Sequence, residues 1–205
     1  MNRGTAPARP RGRPRSFDRG KALDRAMRLF WRRGFEATSI SDLTKAMHIT
    51  PPALYTAYGD KKRLFLEAVG RYEREAGCFA QKALTEEPTA ERAVRCLLHG
   101  AVKSFTKPGR PRGYLVVLGA INCTVESGDI YSALAERRQN AERAVRARIA
   151  AGQTAGELPD DTDADALTGM ITATLYGLAI KAKDGASRDQ LHKIVEQAMR
   201  MWPGR

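Results

Sequence analysis

Apolar residues recur three and four positions apart along almost the whole of this 205-residue chain, and no segment alternates convincingly at period two. That pattern confines the chain to an all-α fold, with about nine helices. The first starts at Ser16 or Asp18, carries Leu23, Ala26, Met27 and Phe30 on one face, and stops at Gly34. A short second helix opens on Ser39 with Asp42 three residues later, a capping box, and lines one face with Ile40, Leu43 and Met47. His48, Ile49 and Thr50 form a turn. A third short helix begins on Pro51, at a position where a missing N–H costs nothing, and presents Leu54 and Tyr58 as an apolar edge before Gly59. A long fourth helix is expected from residue 60 to 84. Five more follow near 89–105, 113–126, 129–151, 163–182 and 187–202, with loops at 106–112 and 156–161.

The charge is unevenly placed. Residues 1–63 hold 15 Lys and Arg against 5 Asp and Glu, whereas the remaining 142 hold 20 against 18. One end therefore carries nearly all of the net +12, which points to a polyanionic partner. The three cysteines, Cys78, Cys96 and Cys123, are odd in number and include no Cys-x-x-Cys pair, so a disulfide framework is not expected and a reducing cytoplasm fits. The basic N-terminus is followed by no apolar run, so no export signal is expected. The longest apolar stretches, Leu115–Cys123 and Leu167–Ile180, are shorter than the ~18 residues a bilayer needs, so no membrane partner is expected.

Helix, three-residue turn and helix across residues 40–58 is the spacing of a helix-turn-helix, whose second helix enters the DNA major groove. An ordinary helical hairpin has the same spacing. Two observations favour DNA. Lys61, Lys62 and Arg63 open the fourth helix, where cations oppose the helix dipole unless a phosphate docks there. Tyr55 and Thr56 place a phenol and a hydroxyl away from the Leu54–Tyr58 edge, as groups that hold phosphates or base edges do.

Residues 17–66 resemble the DNA-binding domain of the TetR family of repressors. The resemblance lies in Ala26–Phe30 with Gly34–Phe35, Thr38–Ser39, Leu43 to Ile49, and Leu54–Tyr55 followed by Tyr58, Lys61 and Leu64. It covers about a quarter of the chain; the rest matches in helix number and length. The resemblance implies that Thr38 and Ser39 hold phosphate, that Thr50, Pro51, Pro52, Ala53 and Thr56 face bases, and that Tyr55 and Lys61 clamp the backbone. His48 stands where the family usually has glycine, and it tolerates positive φ better than most residues. With Ala53 small and two prolines lacking N–H donors, base contacts by hydrogen bond are expected to be sparse.

Residues 1–15 hold five arginines, three prolines and no acid, and are expected to form a flexible arm. Its Gly12-Arg13-Pro14-Arg15 core is like that of AT-hook peptides, so Arg11, Arg13 and Arg15 are candidates for an A·T-rich minor groove. A second Gly-Arg-Pro-Arg, at residues 109–112, is read as a loop. The expected organisation is an arm at 1–15, a DNA-binding domain at 16–63 and a ligand-binding and dimerisation domain at 64–205.

In the C-terminal half, Gly169, Ala173 and Gly177 form a small-residue stripe on which another helix can approach closely. With Leu191, Ile194, Val195 and Ala198 of the last helix, the stripe is expected to make the interface of a homodimer, the form in which a helix-turn-helix usually reads a two-fold site. The family resemblance implies the same helix pair. Candidates for a small-molecule effector pocket are polar or soft residues on apolar helices: Cys78, Cys96, His99, Tyr114, Asn122, Cys123, Glu126 and Tyr176. Cys96 and His99 share a face, but two ligands do not specify a metal site, and no metal or cofactor is expected. No nucleophile–base pair, carboxylate dyad or phosphate-binding glycine loop is present, so an enzyme is not expected. The expected function is a ligand-responsive, DNA-binding transcriptional regulator acting as a repressor on double-stranded operator DNA. The alternative is a non-specific architectural DNA binder using the arm.

Overall fold

Local sequence signals fix most helix ends. In the computed structural model, which describes residues 17–204, the Asp18 carboxylate accepts the Lys21 N–H and starts α1 (Arg19–Arg33). The Ser39–Asp42 capping box opens α2 (Ile40–Met47), and Thr50 caps α3 (Pro51–Tyr58). The turn between them rests on His48, which takes the left-handed conformation (φ 57°, ψ 47°) and is the one non-glycine residue with positive φ among those described. Asp60 caps α4 (Lys61–Glu75). The chain continues through α5 (Phe79–Glu86), α6 (Ala90–Phe105), α7 (Leu115–Leu118), a 3₁₀ turn (Val125–Ser127), α8 (Gly128–Thr154), α9 (Ala164–Lys183) and α10 (Arg188–Met199). Every regular element among the described residues is helical, in agreement with the all-α expectation.

Two helices differ from the sequence expectation. The helix expected over 60–84 is two, α4 and α5, with a break at Ala76–Gly77. A side chain at Gly77 would meet the Glu73 backbone at 3.1 Å, and beyond the break Phe79 turns onto Phe105 of α6, edge to face at 6.0 Å. The helix expected over 113–126 shrinks to the four residues of α7. Leu115, Val116 and Val117 are buried there, and the Gly119 carbonyl accepts the Phe35 N–H at 2.7 Å, a tertiary bond.

Two apolar cores result. The first joins α1–α4, α7 and the start of α8 around Phe30, Phe35 and Phe65; Phe65 meets the other two rings edge-on at 4.9 and 5.1 Å. The second joins α6, α8, α9 and α10 around Leu97, Phe105, Ile149, Ile171 and Leu191. Tyr114, the N-cap of α7, packs against both. Polar ties reinforce the junction: Trp31 Nε1 donates to the Gly113 carbonyl at 3.1 Å, Lys183 Nζ to the Arg32 carbonyl at 2.6 Å, and Lys62 pairs with Asp129 at 2.7 Å. The loop at 109–112 is held in the same way, with the Gly109 carbonyl accepting from Arg28 and Arg112 donating to the Ala186 carbonyl.

Candidate nucleic-acid interface and effector cavity

The exposed surface of α3 and its approach carries the expected DNA-facing groups. Thr50, Pro51, Pro52, Tyr55 and Thr56 are exposed and Ala53 is half-buried. Tyr55 is 50% exposed, which leaves its hydroxyl open to a phosphate. The Thr56 hydroxyl donates to the Pro52 carbonyl at 2.8 Å, so it offers mainly its methyl and its acceptor lone pairs. Ser39 is exposed, and its hydroxyl donates to Asp42 at 2.7 Å. Lys61 is half-buried, with its ammonium 4.2 Å from the centre of the Phe35 ring. Burial pulls its pKa down, while Glu36 resists that shift.

Thr38 corrects the sequence reading. It is fully buried, and its hydroxyl donates to the Gly34 carbonyl at 2.7 Å. Its side chain therefore closes the turn after α1 and is withdrawn from any phosphate. Arg11, Arg13 and Arg15 lie outside the described residues.

A cavity of about 840 Å³ lies between the ends of α4 and α5, the middle of α8, α9 and Tyr114. Tyr114, Tyr176 and Cys78 line it, as the sequence reading anticipated for a pocket; Glu73, Arg74, Arg137, Asn140 and Thr172, which that reading missed, line it too. Glu73 pairs with Arg137, and burial pushes its carboxyl up against the pull of that guanidinium. This pair joins residues 64 apart on different helices, so no local pattern announces it.

Five other candidates do not line the cavity. Cys96 is exposed, with its thiol donating to Glu87 at 3.2 Å. His99 faces α10, its Nδ1 lying 2.7 Å from His192 Nδ1 and its Nε2 2.8 Å from Glu196. Asn122 is exposed beside the turn after α1. Cys123 is half-buried against the first core, its thiol donating to the Ala120 carbonyl at 3.6 Å. Glu126 is exposed on the 3₁₀ turn, where its carbonyl accepts from Lys62. The loop and turn that replace the expected helix over 113–126 carry all three of the last group away from the cavity.

On the outer face of α9 a Cβ added at Gly169 or Gly177 would meet open space, and Ala173 is exposed. Ile180 continues the stripe at 47% exposure. Ile194 and Ala198 of α10 are half-buried, and Met201 just beyond is exposed. Leu191 and Val195 correct the reading: both are fully buried in the second core. They sit on the inward face of α10 and hold it to α6 and α9 of the same chain.

A helix-turn-helix with an exposed reading helix, joined to a helical body that holds a cavity, defines a DNA-binding transcriptional regulator. Residues 22–68 match the model of bacterial regulatory proteins of the tetR family, and residues 90–198 match the tetracyclin repressor-like C-terminal domain. The HTH-type transcriptional repressor ComR of Escherichia coli is 34% identical over 194 residues, covering 94% of this chain and 92% of ComR. The repressor BdcR of the same organism is 29% identical over 181 residues, 88% of this chain and 86% of BdcR. A cysteine-substituted form of the TetR family regulator CifR, solved on a 26-bp double-stranded operator, superposes with a TM-score of 0.90 at 43% identity, covering 94% of this chain and 100% of CifR. The chain belongs to the TetR family of bacterial regulatory proteins. No helix among the described residues is long and apolar enough to cross a membrane.

Proposed function

We propose that the chain is a homodimeric repressor, released from double-stranded operator DNA when a small molecule occupies the cavity. Residues up to about 63 form the reading head, and the rest senses and dimerises. The observation that carries this reading is the position of Tyr114, which borders the cavity and packs against both cores. At the two ends of the short helix it caps, the Gly113 and Gly119 carbonyls accept from Trp31 and Phe35. A second route is α4, which runs from Lys61 at the head to Glu73 at the cavity. A ligand that shifts either element changes the spacing of two heads that must lie about 34 Å apart on the duplex. The names of ComR and BdcR support repression, and the operator bound to CifR supports duplex DNA as the partner.

The outer faces of α9 and α10 offer the dimer contact: Gly169, Ala173, Gly177 and Ile180 from one, Ile194, Ala198 and Met201 from the other. A cytoplasmic location follows from a DNA target. The test is footprinting of the protein on the DNA upstream of its own gene. A protected two-fold site of one to two helical turns supports the reading. Equal protection of unrelated DNA refutes it and favours an architectural role.

A further inference from the structure

Much of the cavity wall is carbon, from Phe79, Leu84, Leu97, Ala144 and Leu175, with polar groups set among it. Two of them are phenols. The Tyr176 hydroxyl is buried and has no hydrogen-bond partner. The Tyr114 hydroxyl is also without a partner among the described residues, although its ring is fixed between Phe105, stacked at 5.2 Å, and Tyr72 at 5.9 Å. Burial above all, then Glu73 and Tyr176, raise the pKa of Tyr114. Buried hydroxyls are nearly always hydrogen-bonded, so the idle Tyr176 hydroxyl, with the unpartnered Tyr114 in the same cavity wall, marks a place a ligand fills.

The chemistry of that ligand follows from the walls. Burial raises the pKa of both phenols, so each keeps its proton and is a donor. One acceptor oxygen can take both protons at once; a donor ligand would leave both phenolic protons facing carbon. The charged rim holds Arg74 and Arg137 against Glu73, and Glu73 is already paired with Arg137. That balance repels a cation and tolerates a neutral or anionic acceptor.

We propose that the effector is an apolar compound ending in a carbonyl or carboxylate oxygen, and that Tyr114 and Tyr176 donate to that oxygen. This rests on the reading of the cavity as the effector site. Because Tyr114 caps α7, a ligand that holds its hydroxyl also holds the segment that carries the Gly113 and Gly119 carbonyls.

Three probes of equal chain length test it: 2-nonanone, nonanoate and nonylammonium, titrated calorimetrically into the full-length dimer, with operator release followed by fluorescence anisotropy. The ketone and the acid are expected to bind and to release operator, and the ammonium to do neither. Which of the two binds better distinguishes a neutral from an anionic ligand. Tyr114→Phe and Tyr176→Phe keep both rings, and each is expected to weaken the bound probe about tenfold, the scale of one hydrogen bond. Tyr176 is the less constrained of the two, so its variant decides the matter if Tyr114→Phe does not fold. Unchanged affinity in Tyr176→Phe overturns the proposal, as does equal binding of all three probes; both outcomes leave the cavity as an effector site. Binding of none of them overturns the proposal and the effector-site reading together.

Discussion

Phe35 donates its backbone N–H to the carbonyl of Gly119 at 2.7 Å, across 84 positions of chain. This bond, with Trp31 Nε1 to Gly113, brackets α7 at both ends and ties it to α1. The reading head is therefore not an appendage on a tether. It shares a core with a segment of the C-terminal half, and strain at Tyr114 has a short path to the turn before α2.

Trp31→Phe removes the second of these bonds together with part of a buried ring. The ring contact with Tyr72, edge to face at 4.7 Å, is largely kept, but the buried Gly113 carbonyl loses its donor. Leaving such a group unsatisfied costs about 1–3 kcal/mol. The expected result is a melting temperature lower by about 2–4 °C per kcal/mol for a chain of this size. Calorimetric melts of the two proteins at equal concentration measure it, and an unchanged melt would show that the bond contributes nothing.

Acid is expected to loosen α10 from α6. His192 is held below its ordinary pKa by burial first, then by His99, with Arg188 and Lys103 adding to the effect and Asp189 opposing it. Its native state therefore binds fewer protons than the unfolded chain, and stability falls as pH drops through about 6.5 towards the lowered value. Glu196, held down by His99 and Arg95, adds a loss at lower pH, once its carboxylate is protonated. Melting temperatures at pH 7.5, 6.5 and 5.5 are expected to fall more steeply for the native chain than for His192→Gln. Parallel curves would contradict the assignment.

The head was more legible in the sequence than the cavity, because its signals are local. Ser39 with Asp42, Thr50 before Pro51, and Gly34 and Gly59 at helix ends each act within one turn, and the structure places each where spacing puts it. The break at Ala76–Gly77 was not legible, since periodicity continues across it and the packing of Phe79 on Phe105 is tertiary. Residues 113–126 misled for a related reason. An apolar run suits a helix, but here burial against α1 and two glycines set the backbone instead. The cavity depends on where α8 and α9 cross, so only Tyr114, Tyr176 and Cys78 of its wall were found. The sequence positions of Thr38, Leu191 and Val195 suit surfaces, yet all three are buried, because their place in the core is set by tertiary packing.

On DNA, Tyr55→Phe and Lys61→Ala are expected to weaken binding to all sequences alike, since both groups are assigned to phosphate, which positions without specifying. Tyr55→Phe removes one exposed hydroxyl and is expected to cost about tenfold at most. Lys61→Ala is expected also to reduce the slope of log affinity against log salt by about one. Because the Lys61 ammonium also sits on the Phe35 ring, that variant loses some thermal stability as well, which Tyr55→Phe does not. Gel shifts on the operator and on single-base variants, at several salt concentrations, check both points. A loss confined to one base pair would contradict the phosphate assignment.

The two faces of α10 and α9 predict opposite phenotypes. Ala173 is exposed on the stripe between Gly169 and Gly177, with open space above both glycines. Ala173→Arg places a charge where a second copy is proposed to dock, while disturbing little within the chain. The expected result is a folded monomer with native helicity that no longer shifts a two-fold operator, because each chain supplies one reading helix. Leu191, fully buried against the second core, behaves in the reverse way. Leu191→Ala opens a cavity inside one chain and is expected to cost about 2–5 kcal/mol, lowering the melting temperature while the surviving folded protein still dimerises. Sedimentation at micromolar protein, beside circular dichroism and an operator shift, separates the two. A dimeric Ala173→Arg protein that binds operator as tightly as the native chain would remove α9 from the proposed interface.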